Sequence, residues 1–538
     1  MQEVFDYVVV GAGSAGCVIA DRLSEDESTS VLVLEAGGRD SNPWIHVPIG
    51  FSKTFFDKRV NWCFDSEPCP ELNGRRIYMP SGKVLGGSSS INGLLYVRGQ
   101  RQDYDDWERL GNEGWSWDDV LPFYLRSEDQ EWTDDDAFHA RGGPLPVSCQ
   151  KEMHTLCGAF LESGVSAGFK QVRDFNCGDQ EGLGWFQVTA RGGRRKSTAV
   201  SFLRRAQKRR NVEVRVQSHV ATIKIEHGVA TGVVYERKGQ KVEVIARSAV
   251  IVSSGAINSP ALLQRSGIGD PDLLRRAGIA VRHSLRGVGA NYHDHFQAKL
   301  VYRCKENLTL NDTATSLRRK FGMGIEYLLY RRGPLTTAGA QSGGFVCSSL
   351  SQGRPDVQFH VFTYSSKDFR KGLDEFSGMT ISACQLRPES RGTVRVRSPN
   401  WRDAPLVSPN FLDSDLDRRT MVEGLRIGRS IADLHPLRAR LIGEERPGKQ
   451  IVDEEGLLNY VRETGGSVFH PVGTCRMGND ALAVVNARLR VHGIDRLMVA
   501  DASIMPSIVS GNTNAASIMI GERAADFLRK QSANSPPL

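Results

Sequence analysis

The run Gly11-Ala12-Gly13-Ser14-Ala15-Gly16 constrains this chain more than any other stretch. It follows the β-branched residues Val8-Val9-Val10 and precedes Cys17 to Leu23, whose pattern predicts a helix. In such a strand–turn–helix unit, Gly11 permits the tight turn and Gly13 lets backbone approach a pyrophosphate. Gly16 lets helix and strand pack closely, and the phosphates face the helix N-terminus. A second apolar run, Val31 to Leu34, ends at Glu35, nineteen residues after Gly16, where a carboxylate can accept both ribose hydroxyl protons. The unit therefore predicts a bound dinucleotide. It leaves FAD and NAD both open, while the acidic Glu35 argues against the 2′-phosphate of NADP.

Composition narrows the class. With 538 residues, 40 % apolar and 24 % charged, the chain has ample core material, which excludes global disorder. The net charge of +7 is small for this length, and the basic runs 191–196 and 204–210 carry no aromatic platform except Phe202. They read as a solvated face, so no nucleic-acid partner is expected. Ten cysteines occur without a Cys-Xaa-Xaa-Cys pair. Such scattered thiols fit a reducing compartment, so a cytoplasmic location is expected. Met1 to Tyr7 lacks a basic and apolar leader, and no 18 apolar residues run uninterrupted. No transmembrane segment is expected, which leaves peripheral membrane association open.

Further motifs punctuate the chain. Residues 70–100 are turn-rich, densest at Ser81-Gly82-Lys83-Val84-Leu85-Gly86-Gly87-Ser88-Ser89-Ser90-Ile91-Asn92-Gly93. Helices are expected at 104–110, 117–125 and 416–433, and the acidic run Glu131 to Asp136 reads as a solvated loop. Alternation from Val212 to Val252 predicts an antiparallel meander joined to a buried strand. That strand ends at Ser253-Ser254-Gly255-Ala256-Ile257-Asn258-Ser259-Pro260, before a helix over Ala261 to Arg265. Mixed strands and helices over roughly 300–460 suggest a second domain. The chain closes with Leu497 to Asp501, a loop, and a helix from near Asn514 to about Leu528.

The glycine turn, Gly82-Lys83-Val84-Leu85-Gly86-Gly87-Ser88-Ser89, Gly255 to Pro260 with Ser266-Gly267-Ile268-Gly269, His470-Pro471-Val472-Gly473-Thr474-Cys475, and Asp501-Ala502-Ser503 with Gly511-Asn512-Thr513-Asn514 occur in order along nearly the whole chain. Together they resemble the glucose-methanol-choline (GMC) flavoprotein oxidoreductases, and most closely their choline-dehydrogenase-like branch. The resemblance implies an α/β fold. A discontinuous Rossmann-like FAD-binding domain would comprise residues 1–155, 192–299 and 462–538. A substrate domain of 156–191 and 300–461 would be built on an antiparallel sheet flanked by helices. It also implies that Gly11, Gly13, Ser14, Ala15, Gly16, Glu35 and Ala36 hold the ADP half of FAD, with Val220 at the adenine. Val84, Gly87, Asn92, Gly93, Leu94 and Leu95 would lie along the flavin. Asp501, Ala502, Asn512, Thr513, Asn514 and Ala515 would close over pyrophosphate and isoalloxazine.

The implied reaction oxidises an alcohol, expected to be primary, to an aldehyde by hydride transfer to flavin, with oxygen or a quinone or dye as acceptor. Choline dehydrogenation and hydroxynitrile cleavage are the alternatives that the same resemblance carries. His470 stands where the family has its base, and positioned general bases contribute about 10²–10⁴ in rate. Asn514 is the second catalytic candidate, its amide donating to the substrate oxygen. Members with FAD linked covalently through histidine carry that histidine just before the residue that is Asn92 here. Ile91 has no nucleophilic atom, so the FAD is expected to be non-covalent. His293-Asp294-His295 has no third group of ligands beside it, and no metal is expected. Cys475 reads as a small buried residue.

Overall fold

The structure is a computed structural model that describes residues 3–132 and 137–534. Most of the acidic run, Thr133 to Asp136, lies outside the described residues, as does the tail from Ser535. Two seven-stranded sheets organise the rest. The first takes its strands from widely separated segments, in the order Val212–Arg215, Val31–Leu34, Glu3–Val10, Gln240–Val252, Val229–Arg237, Ser218–Glu226. Leu497–Val499 is added in parallel to the end of Gln240–Val252. Val8, Val9, Val31, Leu32, Val33, Val250, Ile251 and Val252 are all fully buried, as expected of central parallel strands covered on both faces.

The helix Ser14–Leu23 packs against the terminal helix Asn514–Asn534. The contact is close: a Cβ on Gly521 would come within 2.7 Å of the Ala15 carbonyl oxygen. Arg22 and Arg126 both reach the fully buried Glu522 in the terminal helix, at 2.9 and 2.6 Å.

The second sheet is antiparallel, in the order Leu441–Arg446, Phe296–Cys304, Gly378–Gln385, Val357–Phe362, Ser342–Val346, Gly182–Trp185. Side chains alternate along its strands. Phe296, Ala298 and Leu300, with Phe359 and Val361, face a core shared with the helices Asp415–Ala432 and Thr155–Ser166. Gln297, Lys299, His360 and Phe362 face the opposite way, into a cavity.

Three local expectations changed. Val212–Arg215 does not open the meander; it pairs in parallel with Val31–Leu34, because Gln217 at φ 52° turns the chain before Ser218–Glu226 begins. The helix expected from Ala261 starts at Gly255 and contains Pro260. Proline has no N–H to return to Ala256, and the Thr474 hydroxyl donates to that carbonyl instead, at 2.6 Å. The domain boundary expected at 299/300 falls inside the strand Phe296–Cys304, and Gly466–Ser467, assigned to the nucleotide side, pairs with that strand. Among the described residues no helix is long and apolar enough to cross a membrane.

Candidate functional site

One cavity of about 400 Å³ runs from Glu35 and Val220 at one end to His470 and Asn512 at the other. Gly11, Gly13, Ser14, Ala15, Ala36, Gly87, Asn92, Gly93, Leu94, Leu95, Asp501, Ala502, Thr513 and Asn514 also line it. Three expected contacts are not on its wall. Gly16 serves packing, since a Cβ there would lie 2.0 Å from the Gly11 carbonyl oxygen. Val84 and Ala515 are buried in apolar clusters.

The residues present fit an extended dinucleotide. Gly13 sits at the N-cap of Ser14–Leu23 with no side-chain cap, so the first-turn N–H groups are left for an anion. A Cβ on Gly11 would strike the Ser253 carbonyl oxygen at 2.4 Å, and one on Gly87 would strike the Gly13 Cα at 2.7 Å. At Gly13 nothing lies closer than 3.7 Å to such a Cβ, so the turn opens onto free space. Ser14 Oγ donates to Asn514 Oδ1 at 2.8 Å, which brings two helix N-termini together at the place a pyrophosphate would occupy. Glu35 accepts from the Ala12 and Gly37 N–H groups at 2.9 and 2.8 Å, and burial raises its pKa to about 7. Asp501 gathers the far wall, accepting from Gly255 N, Ser259 Oγ and Ser503 N.

The Gly-rich loop is held by a residue the sequence reading placed on a solvated face. Arg195 is buried, and its guanidinium donates to the carbonyls of Ile45, Ser89 and Asn92 and to Asn92 Oδ1. Asn92 Oδ1 also accepts from Leu94 N, and Leu94 takes a left-handed φ of 69° beside the cavity. Ile91 lines the cavity as well.

At the other end the backbone positions His470 tightly. Phe469 has φ 68°, its N–H donates to Ser467 Oγ, and its ring meets Phe55 edge-on. The His470 N–H donates to Asp294 Oδ1 at 2.8 Å, while Asp294 Oδ2 accepts from Ser467 and Tyr292.

The protons of the imidazole follow from its partners. His295 Nε2 lies 2.9 Å from the Leu386 carbonyl oxygen, which can only accept, so Nε2 carries the proton. Burial lowers the His295 pKa to about 3; the ring is neutral and its Nδ1 is an acceptor. His295 Nδ1 is 3.0 Å from His470 Nδ1, so His470 donates from Nδ1 and keeps its lone pair on Nε2. The amide Nδ2 of Asn512 donates to that Nε2 at 3.2 Å, and Gln358 donates to Asn512 Oδ1 at 3.3 Å. Burial, then the nearby His295 and His360, hold the His470 pKa well below its ordinary value.

The partner of His470 is thus Asn512, two residues before the asparagine expected to act with it; Asn514 is turned to Ser14. His295 had been weighed only as half of a metal-like pair. Cys475 is buried in the core, and all ten cysteines are free thiols.

The sequence pattern described as GMC oxidoreductase matches residues 5–297 and 388–521. An alcohol dehydrogenase [acceptor] of Pseudomonas putida is 39 % identical over 98 % of this chain and 96 % of its own. The mitochondrial choline dehydrogenase of Mus musculus is 38 % identical over 98 % and 90 %. Among solved structures, pyridoxine 4-oxidase from Mesorbium loti superposes with a TM-score of 0.89 at 28 % identity, covering 99 % of this chain and all of that one.

Proposed function

The chain belongs to the GMC oxidoreductase family and is an FAD-dependent oxidoreductase of CH–OH donors; from that premise we propose that it oxidises a primary alcohol other than choline, with His470 as base and Asn512 as its partner. The observation that carries this reading is the lone pair of His470 Nε2, held on the cavity side by the proton on Nδ1. FAD held in the channel supplies the acceptor for the hydride that leaves the carbinol carbon. The substrate hydroxyl replaces the direct contact between Asn512 and His470: His470 takes the hydroxyl proton on Nε2, and the Asn512 amide donates to the oxygen as it gains charge. Burial keeps both imidazoles neutral.

The cavity's charge speaks against a quaternary ammonium. Its described lining includes Lys299, whose amine lies 5.9 Å from the Phe369 ring centroid and whose protonation burial and Arg446 disfavour; charged or neutral, it offers a quaternary ammonium no counter-charge. The only carboxylates on that lining are Glu35 and Asp501, both engaged by backbone N–H groups. Phe51, Phe55, Phe362, Tyr364 and Phe469 supply an apolar surface that takes an uncharged carbon chain or ring, and with no unengaged carboxylate beside them ring faces would be the sole attraction for a quaternary ammonium. Relatives of nearly equal identity include an alcohol dehydrogenase and choline dehydrogenases, so the choice between these substrates rests on the cavity lining.

Anaerobic mixing of the holoenzyme with a panel of alcohols tests the proposal. Uncharged primary alcohols are expected to bleach the flavin at least tenfold faster than choline, and His470→Ala to slow bleaching about 10²–10⁴-fold. Faster bleaching by choline, or an unchanged rate in the variant, would overturn it. With Ile91 at the linkage position, acid precipitation is expected to leave the flavin in the supernatant; a yellow pellet would show covalent attachment.

A further inference from the structure

The helix Leu317–Tyr330 carries a surface unlike the rest of the molecule. Leu317 is 83 % exposed, Phe321 73 %, Leu328 69 % and Leu329 67 %, and Ile325 and Tyr330 are exposed too. Leu317, Phe321, Ile325 and Leu328 recur at intervals of four, four and three residues, so with Leu329 they form one stripe about 120° wide. Tyr327 is the sole buried residue of the helix, and its hydroxyl anchors the other side by donating to the Gly193 carbonyl. Arg318, Arg319 and Lys320 stand at one end of the stripe and Arg331 and Arg332 at the other, against the single acid Glu326.

We propose that this helix docks the enzyme on an anionic phospholipid surface, lying in the interface with its apolar stripe among the acyl chains and its cations at the headgroups. An exposed stripe on a convex helix with basic flanks is the chemistry that an anionic bilayer recognises, because apolar burial and charge attraction add. A second copy is a poorer occupant. With cations at both ends of the stripe, parallel and antiparallel pairing alike would set like charges against each other. The helix leads into Pro334–Thr336, which packs on Pro48–Gly50, and Gly339 and Ala340 follow within ten residues of Tyr330 as part of the cavity wall. Docking therefore brings a lipid surface next to the segments that enclose the site.

Sedimentation of the full-length holoenzyme with vesicles tests this, using phosphatidylcholine alone and phosphatidylcholine mixed with phosphatidylglycerol. The enzyme is expected to pellet with the mixed vesicles and at least about tenfold more weakly with phosphatidylcholine alone. Phe321→Glu combined with Leu328→Glu is expected to weaken binding to mixed vesicles at least about tenfold, with flavin content and dye-linked alcohol oxidation in solution unchanged. Arg318→Gln with Lys320→Gln is expected to reduce the preference for the anionic lipid. Three results would overturn the proposal: wild-type enzyme left in the supernatant with both vesicles, a Glu pair that binds as wild type does, or a lipid-free dimer that the Glu pair abolishes.

Discussion

His470 can act as a base only while its proton stays on Nδ1, and His295, outside the cavity lining, specifies that proton. Replacing His295 with Leu removes the acceptor and frees the imidazole to adopt the other tautomer. Anaerobic flavin reduction is expected to slow about 10–100-fold while flavin content stays unchanged, a loss that belongs to the lone pair rather than to the fold. A second prediction concerns pH. Burial holds His470 neutral well below its ordinary range, so falling pH protonates it only late. The reduction rate is expected to stay level as pH drops through 6.5 and to fall only below that; a midpoint near 6.5 would mean an imidazole open to water. That His470 would stand at the cavity was legible in the sequence because Pro471 and the motif around it single it out. Its partner was not: Asn512 and Asn514 flank one threonine, and only the packing of the terminal helix on Ser14 shows which amide is free to meet the imidazole. His295 left no signal of its own, since it acts through another residue.

Elements were legible where one period dominates a run. The opening strand, its glycine turn and the helix after it stand where the pattern puts them, because fully buried parallel strands leave little choice of side chain. Val212–Arg215 alternates as a surface strand would, yet it closes the parallel edge; no local pattern encodes which neighbour a short strand meets. Arg195 makes the same point for loops. In a run of basic residues it looks like its neighbours, but three of its four hydrogen bonds tie the 89–92 segment to the cavity wall and the fourth goes to the Ile45 carbonyl. Arg195→Met keeps the bulk and removes the donors, leaving buried carbonyls unpaired at about 1–3 kcal/mol each. Flavin retention through dialysis is expected to fall at least tenfold, with a smaller loss in the rate of whatever enzyme remains loaded.

At the scale of the molecule, the first and last helices are locked by Arg22 and Glu522, with Arg126 joining from the helix Trp117–Ser127. Glu522→Gln preserves shape but leaves Arg22, itself largely buried, with only the part-exposed Glu25 as counter-charge, and leaves Arg126 with none from the terminal helix at this contact. A loss of about 3–5 kcal/mol is expected, read as a lower denaturant midpoint of the holoenzyme at unchanged m-value. The dinucleotide channel inherits the same architecture. Its glycine turn begins at Gly11, while Asp501 and the Asn512–Asn514 wall follow about 490 residues later in the chain. A chain translated only to residue 460 therefore carries the glycine turn and Glu35 but not the wall that faces them across the channel. Closure of the channel therefore waits for residues about 490 positions beyond its glycine turn, and a chain stopped short of Asp501 is expected to lose flavin on dialysis that the full chain keeps.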